Sequence, residues 1–313
     1  MPHPNIVPVS DLSDPRLEPY RDQRDQWLRA RHRHWMEGRE PPGDATPTGM
    51  KPSPEFPGGL FMAEGVNVVR QLIQSPHRTV SVLVSEPRAE AFADVFAELP
   101  AEVPVFVAPR AQIDVLTGFE IHRGLLACGA RVDLGDWSRV AAASGAAVVL
   151  ENLANHDNVG GIFRSVRALA RPRAGFEHAA CVLLSPRSCD PLYRKALRVS
   201  MGNALHVPFA TIEPWPDAID RFVRGGFVPV ALDPSARNPE VAELSERFRA
   251  GSERPALVMG TEGPGLRPET VERVRTAGGV VARLDIEPAA DSLNVGVAAA
   301  IALRELGGRR PML

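Results

Sequence analysis

The stretch Glu151–Ala170 reads ENLANHDNVGGIFRSVRALA and follows the apolar run Ala146-Ala147-Val148-Val149-Leu150. A short apolar run ending in polar turn residues reads as a buried strand, and the periodic segment from about Val159 reads as a helix. The junction between them is too rich for a plain turn. It holds Asn152, Asn155, Asp157 and Asn158 before the adjacent Gly160 and Gly161, and sets Arg164 in the first turns of the helix. Glycine lets backbone groups come close to a ligand, and binding residues gather in loops on a rigid scaffold.

The same alternation continues along the chain. AAVVLEN, ACVLLS, FVPVALD, PALVMG and VVARLDI read as strands. The segment from Val159, PLYRKALRVS and SLNVGVAAAIALREL read as helices. Short apolar strands alternating with helices predict a mostly parallel sheet covered on both faces, an α/β fold. Ligands of such sheets collect at the carboxyl ends of strands. Two further strand ends are unusual. Leu257-Val258-Met259 runs into a loop with Gly260, Gly263 and Gly265 around Glu262. VVARLDI runs through Pro288 and Asp291 to Ser292 and Asn294 at the start of the last helix, where Ser292 also suits an N-cap. GTEGPG is neither a dinucleotide fingerprint nor a phosphate loop, since no Gly-Lys-Ser/Thr follows.

Together, NVGGIFRS, VMGTEGPGL and DSLNVGVAAA resemble, in order and spacing, the three motifs of the SpoU/TrmH branch of the SPOUT superfamily. These are S-adenosylmethionine-dependent RNA ribose 2′-O-methyltransferases. DPLYRKALRVSMGNALHVPF resembles the segment between the first two motifs, and the likeness spans about residues 146–307. The resemblance implies a C-terminal sheet domain with a trefoil knot, S-adenosylmethionine as cofactor, rRNA or tRNA as substrate, and a homodimer with the site near the subunit interface. It implies that Arg164 is the central catalytic residue, which some schemes for the family make the base; because guanidinium resists deprotonation, its chemistry favours gripping the RNA phosphate and stabilising the developing alkoxide. Asn158 would fix the loop or the ribose. Glu262 would orient Arg164 or meet the partner subunit, and Ser292 and Asn294 would hydrogen-bond near the substrate. Leu232, Gly260, Leu284, Ile286 and Leu293 match cofactor-contacting positions. The chain departs from the family at Leu284-Asp285-Ile286, where Ile-Pro-Met is usual, and at Pro288, where glycine is common. Arg187, Arg194, Lys195 and Arg198 form a candidate basic face for phosphates.

Ahead of this domain the sequence has other parts. Residues 1–58 read as an extension: a Pro-rich start, an Arg-rich helical segment from Pro15 to about Arg39 with Tyr20, Trp27 and Leu28 as anchors, and a Pro/Gly linker. That helix is either a solvated surface helix or an RNA-contacting arm. Residues 59–132 read as a small α/β unit, with a helix over FMAEGVNVVRQLIQS, strands over TVSVLVS, VPVFVA and RGLLACGARV, and a helix over EPRAEAFADVFAEL. Through LFMAEGVNVV and FEIHRGLLA it resembles the family's ribosomal-protein-like RNA-binding domain. Residues 133–145 read as a linker and 146–313 as the methyltransferase domain.

Net charge is −2, so RNA binding would need a local basic face rather than a basic chain. The three cysteines form no C-x-x-C pair and fit a reducing cytoplasm, not a disulfide framework; no metal site is expected. No apolar run reaches the ~18 residues of a membrane span. Two other readings stand beside the enzyme: a non-catalytic RNA-binding assembly factor on this fold, and a nucleotide-dependent enzyme using the GTEGPG loop.

Overall fold

A computed structural model describes residues 4–21, 59–119, 121, 124–132, 134–235, 237–249, 253–287, 289–290 and 292–307. The chain divides into two units between Asp133 and Leu134.

The first unit carries a five-stranded sheet in the order β1-β4-β3-β5-β2. Its strands are β1 (Ile6–Pro8), β2 (Leu60–Glu64), β3 (Arg78–Ser85), β4 (Val105–Ala108) and β5 (Leu125–Ala130). Helices α1 (Val66–Ile73) and α2 (Arg110–Thr117) accompany it. Several expectations are corrected here. Leu60–Glu64 is a strand paired antiparallel with β5, and the helix begins only at Val66, because Gly65 at φ 86° breaks the run. EPRAEAFADVFAEL is two short helical turns, Glu86–Ala89 and Ala93–Ala97, separated by a 3-10 turn. The N-terminal residues are no detached extension. Ile6–Pro8 pair with β4, and Leu17 and Tyr20 are fully buried in this unit's core, with the Tyr20 hydroxyl 2.8 Å from Ser81 Oγ. Residues 15–20 form a 3-10 helix, while Trp27 and Leu28 lie outside the described residues.

Among the described residues the second unit forms a six-stranded sheet, all parallel, in the order β11-β9-β10-β6-β7-β8. In chain order the elements are α3 (Trp137–Ala142), β6 (Ala147–Leu150), α4 (His156–Leu169), β7 (Cys181–Leu184), α5 (Arg194–Val199), β8 (Phe209–Thr211), α6 (Ala218–Arg224), β9 (Phe227–Leu232), α7 (Ser245–Arg249), β10 (Arg254–Met259), α8 (Pro268–Thr276), β11 (Val280–Ala282) and α9 (Val295–Leu306). Residues 133–145 are not a linker: Asp136 caps α3, and Trp137, Val140 and Ala141 bury themselves against this sheet. Alternate residues of the strands explain the layering. Ala147 and Val149 of β6 and Ala256 and Val258 of β10 meet α3, α6 and α8 on one face. α4 packs on both α5 and α9 in the second layer, with α9 on β10. The strand VVARLDI stops at Ala282, which leaves Leu284 and Ile286 in irregular chain. Among the described residues no helix is long and apolar enough to cross a membrane.

Candidate functional site

Parallel strands bring all their carboxyl ends to one edge of the sheet, so the loops after β6, β9, β10 and β11 are neighbours. Each polar residue of the opening stretch has a distinct task there. Asn152 takes the left-handed conformation at φ 52°, which asparagine tolerates, and its N–H donates to Ser185 Oγ at 2.8 Å. Asn155 caps α4, accepting from the Asp157 N–H at 2.8 Å. Asp157 pairs with Lys195 Nζ at 2.8 Å. Asn158, 8% exposed, accepts from Asn294 Nδ2 at 2.9 Å.

The two glycines differ. A Cβ at Gly160 would lie 2.6 Å from the Ala196 carbonyl, so this glycine sets α4 close against α5. A Cβ at Gly161 would meet nothing within 4 Å. Gly161 and Arg164 are one turn apart on the accessible side of α4, and Arg164 is exposed.

At the end of β10 the Thr261 and Gly265 backbones bond reciprocally, at 3.0 and 3.2 Å, closing a small loop. Gly260 lies under it, where a Cβ would come within 2.4 Å of Gly265 and Leu266 backbone atoms. Gly263 and Gly265 have φ of 88° and 73°, so this loop shape needs its glycines. Glu262 is exposed at the loop's tip. Among the described residues no ion pair joins Glu262 to Arg164.

Beyond β11, Leu284, Ile286 and Leu293 are half-buried, as is Leu232 at the end of β9. Among the described residues the chain offers no hydrogen-bond acceptor to the N–H groups of Leu284, Ile286 or Leu293. Pro288 and Asp291 lie outside the described residues. The cap of α9 is Asn294, whose Oδ1 accepts from the Gly296 and Val297 N–H groups at 3.0 and 3.3 Å. Ser292 is therefore not the cap, and it is exposed.

Of the expected basic face, Arg187 and Arg198 are exposed, Arg194 and Lys195 are half-buried, and Lys195 pairs with Asp157.

Sequence reasoning missed Glu151. Its side chain is fully buried (0% exposed) and accepts from Trp215 Nε1 at 2.6 Å, from the Arg267 N–H at 2.8 Å and from the Thr270 hydroxyl. The Arg267 guanidinium stands 3.5 Å away. A signal was present: Glu151 continues the alternation of Ala147 and Val149 and so points into the apolar layer, where a carboxylate requires partners.

The matches with known proteins agree with this geometry. The SpoU rRNA methylase family model matches residues 145–304. An uncharacterised tRNA/rRNA methyltransferase of Mycobacterium tuberculosis is 33% identical over 312 residues, covering 97% of this chain and 93% of that protein. A crystal structure of an AdoMet-bound rRNA methyltransferase from Sinorhizobium meliloti superposes with a TM-score of 0.67 at 23% identity, covering 96% of this chain and 97% of that one. A structure of an RNA 2′-O ribose methyltransferase gives a TM-score of 0.62 at 21% identity, covering 96% and 98%. The structural likenesses establish a shared fold, and with the family match and the relative they show that the chain belongs to the SpoU rRNA methylase family.

Proposed function

We propose that the protein transfers a methyl group from S-adenosylmethionine to a ribose 2′-hydroxyl of rRNA or tRNA. The observation that carries this reading is the Asn158–Asn294 hydrogen bond, which draws the first and third motif segments together on the helix that carries Arg164. Arg164 lies six positions after Asn158, about 9 Å along the axis, and it faces solvent where RNA can reach it.

The residues present fit the cofactor. The N–H groups of Leu284, Ile286 and Leu293, without an acceptor among the described residues, offer donors, half-buried Leu232 offers an apolar wall, and Gly260 with its closed loop supplies a fixed turn. Bound there, S-adenosylmethionine supplies an electrophilic methyl on a sulfonium. The chain's task is then chiefly to hold the hydroxyl in line with that methyl. Arg164 grips the adjoining phosphate and stabilises negative charge as the 2′-oxygen gives up its proton to solvent water. Asn158 and Asn294 hold the two helix N-termini in register around the ribose. Ser292, exposed just before the cap, is a further donor or acceptor for substrate. Arg187, Arg194, Lys195 and Arg198 supply phosphate contacts, and the first unit binds RNA and selects the target.

The active form is a homodimer. Val297 and Ile301, 48% and 40% exposed one turn apart on α9, give an apolar stripe suited to a two-fold contact. Glu262, with no ion pair to Arg164 among the described residues, is then available to the partner subunit. The trefoil knot belongs to the same reading, in which the loops after β10 and β11 are threaded to reach α4.

The test is incubation with methyl-labelled S-adenosylmethionine and total RNA, followed by digestion to nucleosides. Label in 2′-O-methylnucleosides is expected. Label only on bases contradicts the ribose assignment, and no cofactor binding by calorimetry favours the assembly-factor reading.

A further inference from the structure

We propose that Glu151 is a positioning residue for methyl-donor binding, clamping both ends of the glycine loop while touching neither donor nor RNA; this rests on the methyltransferase reading above. Its backbone N–H donates to the Met259 carbonyl at 2.8 Å, where the chain enters the loop. Its carboxylate accepts from the Arg267 N–H at 2.8 Å, where the chain leaves it. One residue thus fixes entry and exit of Gly260–Leu266, the segment whose tight path leaves no room for a Cβ at Gly260.

The carboxylate sits on the sheet face covered by α3, α6 and α8, whereas Asn158 and Asn294 belong to α4 and the start of α9 in the other layer. It therefore acts through its partners. Those partners come from two directions: Trp215 from the chain after β8, Arg267 and Thr270 from the start of α8. All are donors, and one oxygen, Oε2, serves both Trp215 and Thr270. An acceptor-only group is needed at this point. Glutamine has the same size but presents an NH₂ to donors, so it cannot satisfy all three. The carboxylate also lies at the N-terminus of α8, where negative charge is favoured.

The test compares wild type, Glu151→Gln and Thr270→Val for S-adenosylmethionine affinity by calorimetry and for steady-state methylation of RNA. Glu151→Gln is expected to weaken donor binding about tenfold or more, the effect of one charge-assisted hydrogen bond. KM for the donor should rise in parallel, with kcat at saturating donor and RNA affinity within about twofold of wild type. Thr270→Val, which keeps the Arg267 bond, should show a smaller shift in the same direction. A purely structural role would lower the melting temperature without this KM-against-kcat split. Wild-type donor affinity in folded Glu151→Gln overturns the proposal; if that variant does not fold, wild-type affinity in Thr270→Val overturns it. Absence of donor binding by wild type overturns the methyltransferase reading, and this inference with it.

Discussion

Asn294 Nδ2 donates to Asn158 Oδ1 at 2.9 Å, joining residues 136 positions apart. The same Asn294 side chain caps α9 through its oxygen, so one amide caps one helix and ties it to the first turn of α4. Asn294→Ala should cost about 2 kcal/mol of stability, roughly half from the cap and half from the bridge. Asn158→Ala should remove only the bridge. A double-mutant cycle by urea unfolding should return a coupling of about 1 kcal/mol, and zero coupling would mean that the bond contributes nothing.

Adjacent glycines in α4 should respond oppositely to alanine. Gly160→Ala drives a methyl into the Ala196 carbonyl and separates α4 from α5. A loss of about 1–3 kcal/mol is expected, as for other overpacked sites. Gly161→Ala has open space and should gain up to about 1 kcal/mol from helix propensity. Thermal melts of the two variants moving in the same direction would contradict the packing described.

Gly260→Ala should disturb the Thr261–Gly265 loop at its base, because the neighbours of the added methyl are backbone atoms that cannot rotate away. Donor affinity measured by calorimetry should fall by at least about tenfold. Unchanged affinity would show that the loop does not line the donor site.

Glu151→Ala leaves the Trp215, Arg267 and Thr270 donors without their buried acceptor. Destabilisation of about 3 kcal/mol or more is expected from chemical unfolding. Trp215 should report it through a changed indole emission in the native state, and an unchanged spectrum would argue against the hydrogen bond.

Thiol labelling should distinguish the three cysteines. Burial pushes the Cys181 thiol up to about 12, and burial raises Cys128 as well. Thiolate is the reactive form, so at pH 8 both should be inert in the folded protein. Cys189 is half-buried. About one thiol per native chain should react, rising to all three on unfolding. Fast labelling of Cys181 in the native state would contradict its placement.

The C-terminal unit was legible because its signals are local. Apolar runs, turn residues and glycines in GTEGPG mark strands and a loop, and a parallel sheet follows from their alternation. What escaped depended on distant partners. Leu60–Glu64 looks helical beside VNVVRQLI, and only pairing with β5 makes it a strand. Trp137 sits in a polar segment that reads as a linker until α3 is seen against the sheet. Asn294 outranks Ser292 as a cap because its side chain reaches both the Gly296 and Val297 N–H groups, which residue type alone does not decide. Glu151 was hidden for the same reason, since its partners lie 64 to 119 residues away.

Arg164→Ala, assayed for labelled methyl transfer to RNA at saturating S-adenosylmethionine, tests the proposed chemistry most directly. Donor affinity should stay within about twofold of wild type while transfer falls by about 10²–10³-fold, the loss seen when one charge-stabilising donor is removed. Methylation by Arg164→Ala at the wild-type rate would contradict the role assigned to this residue and with it the proposed reaction site.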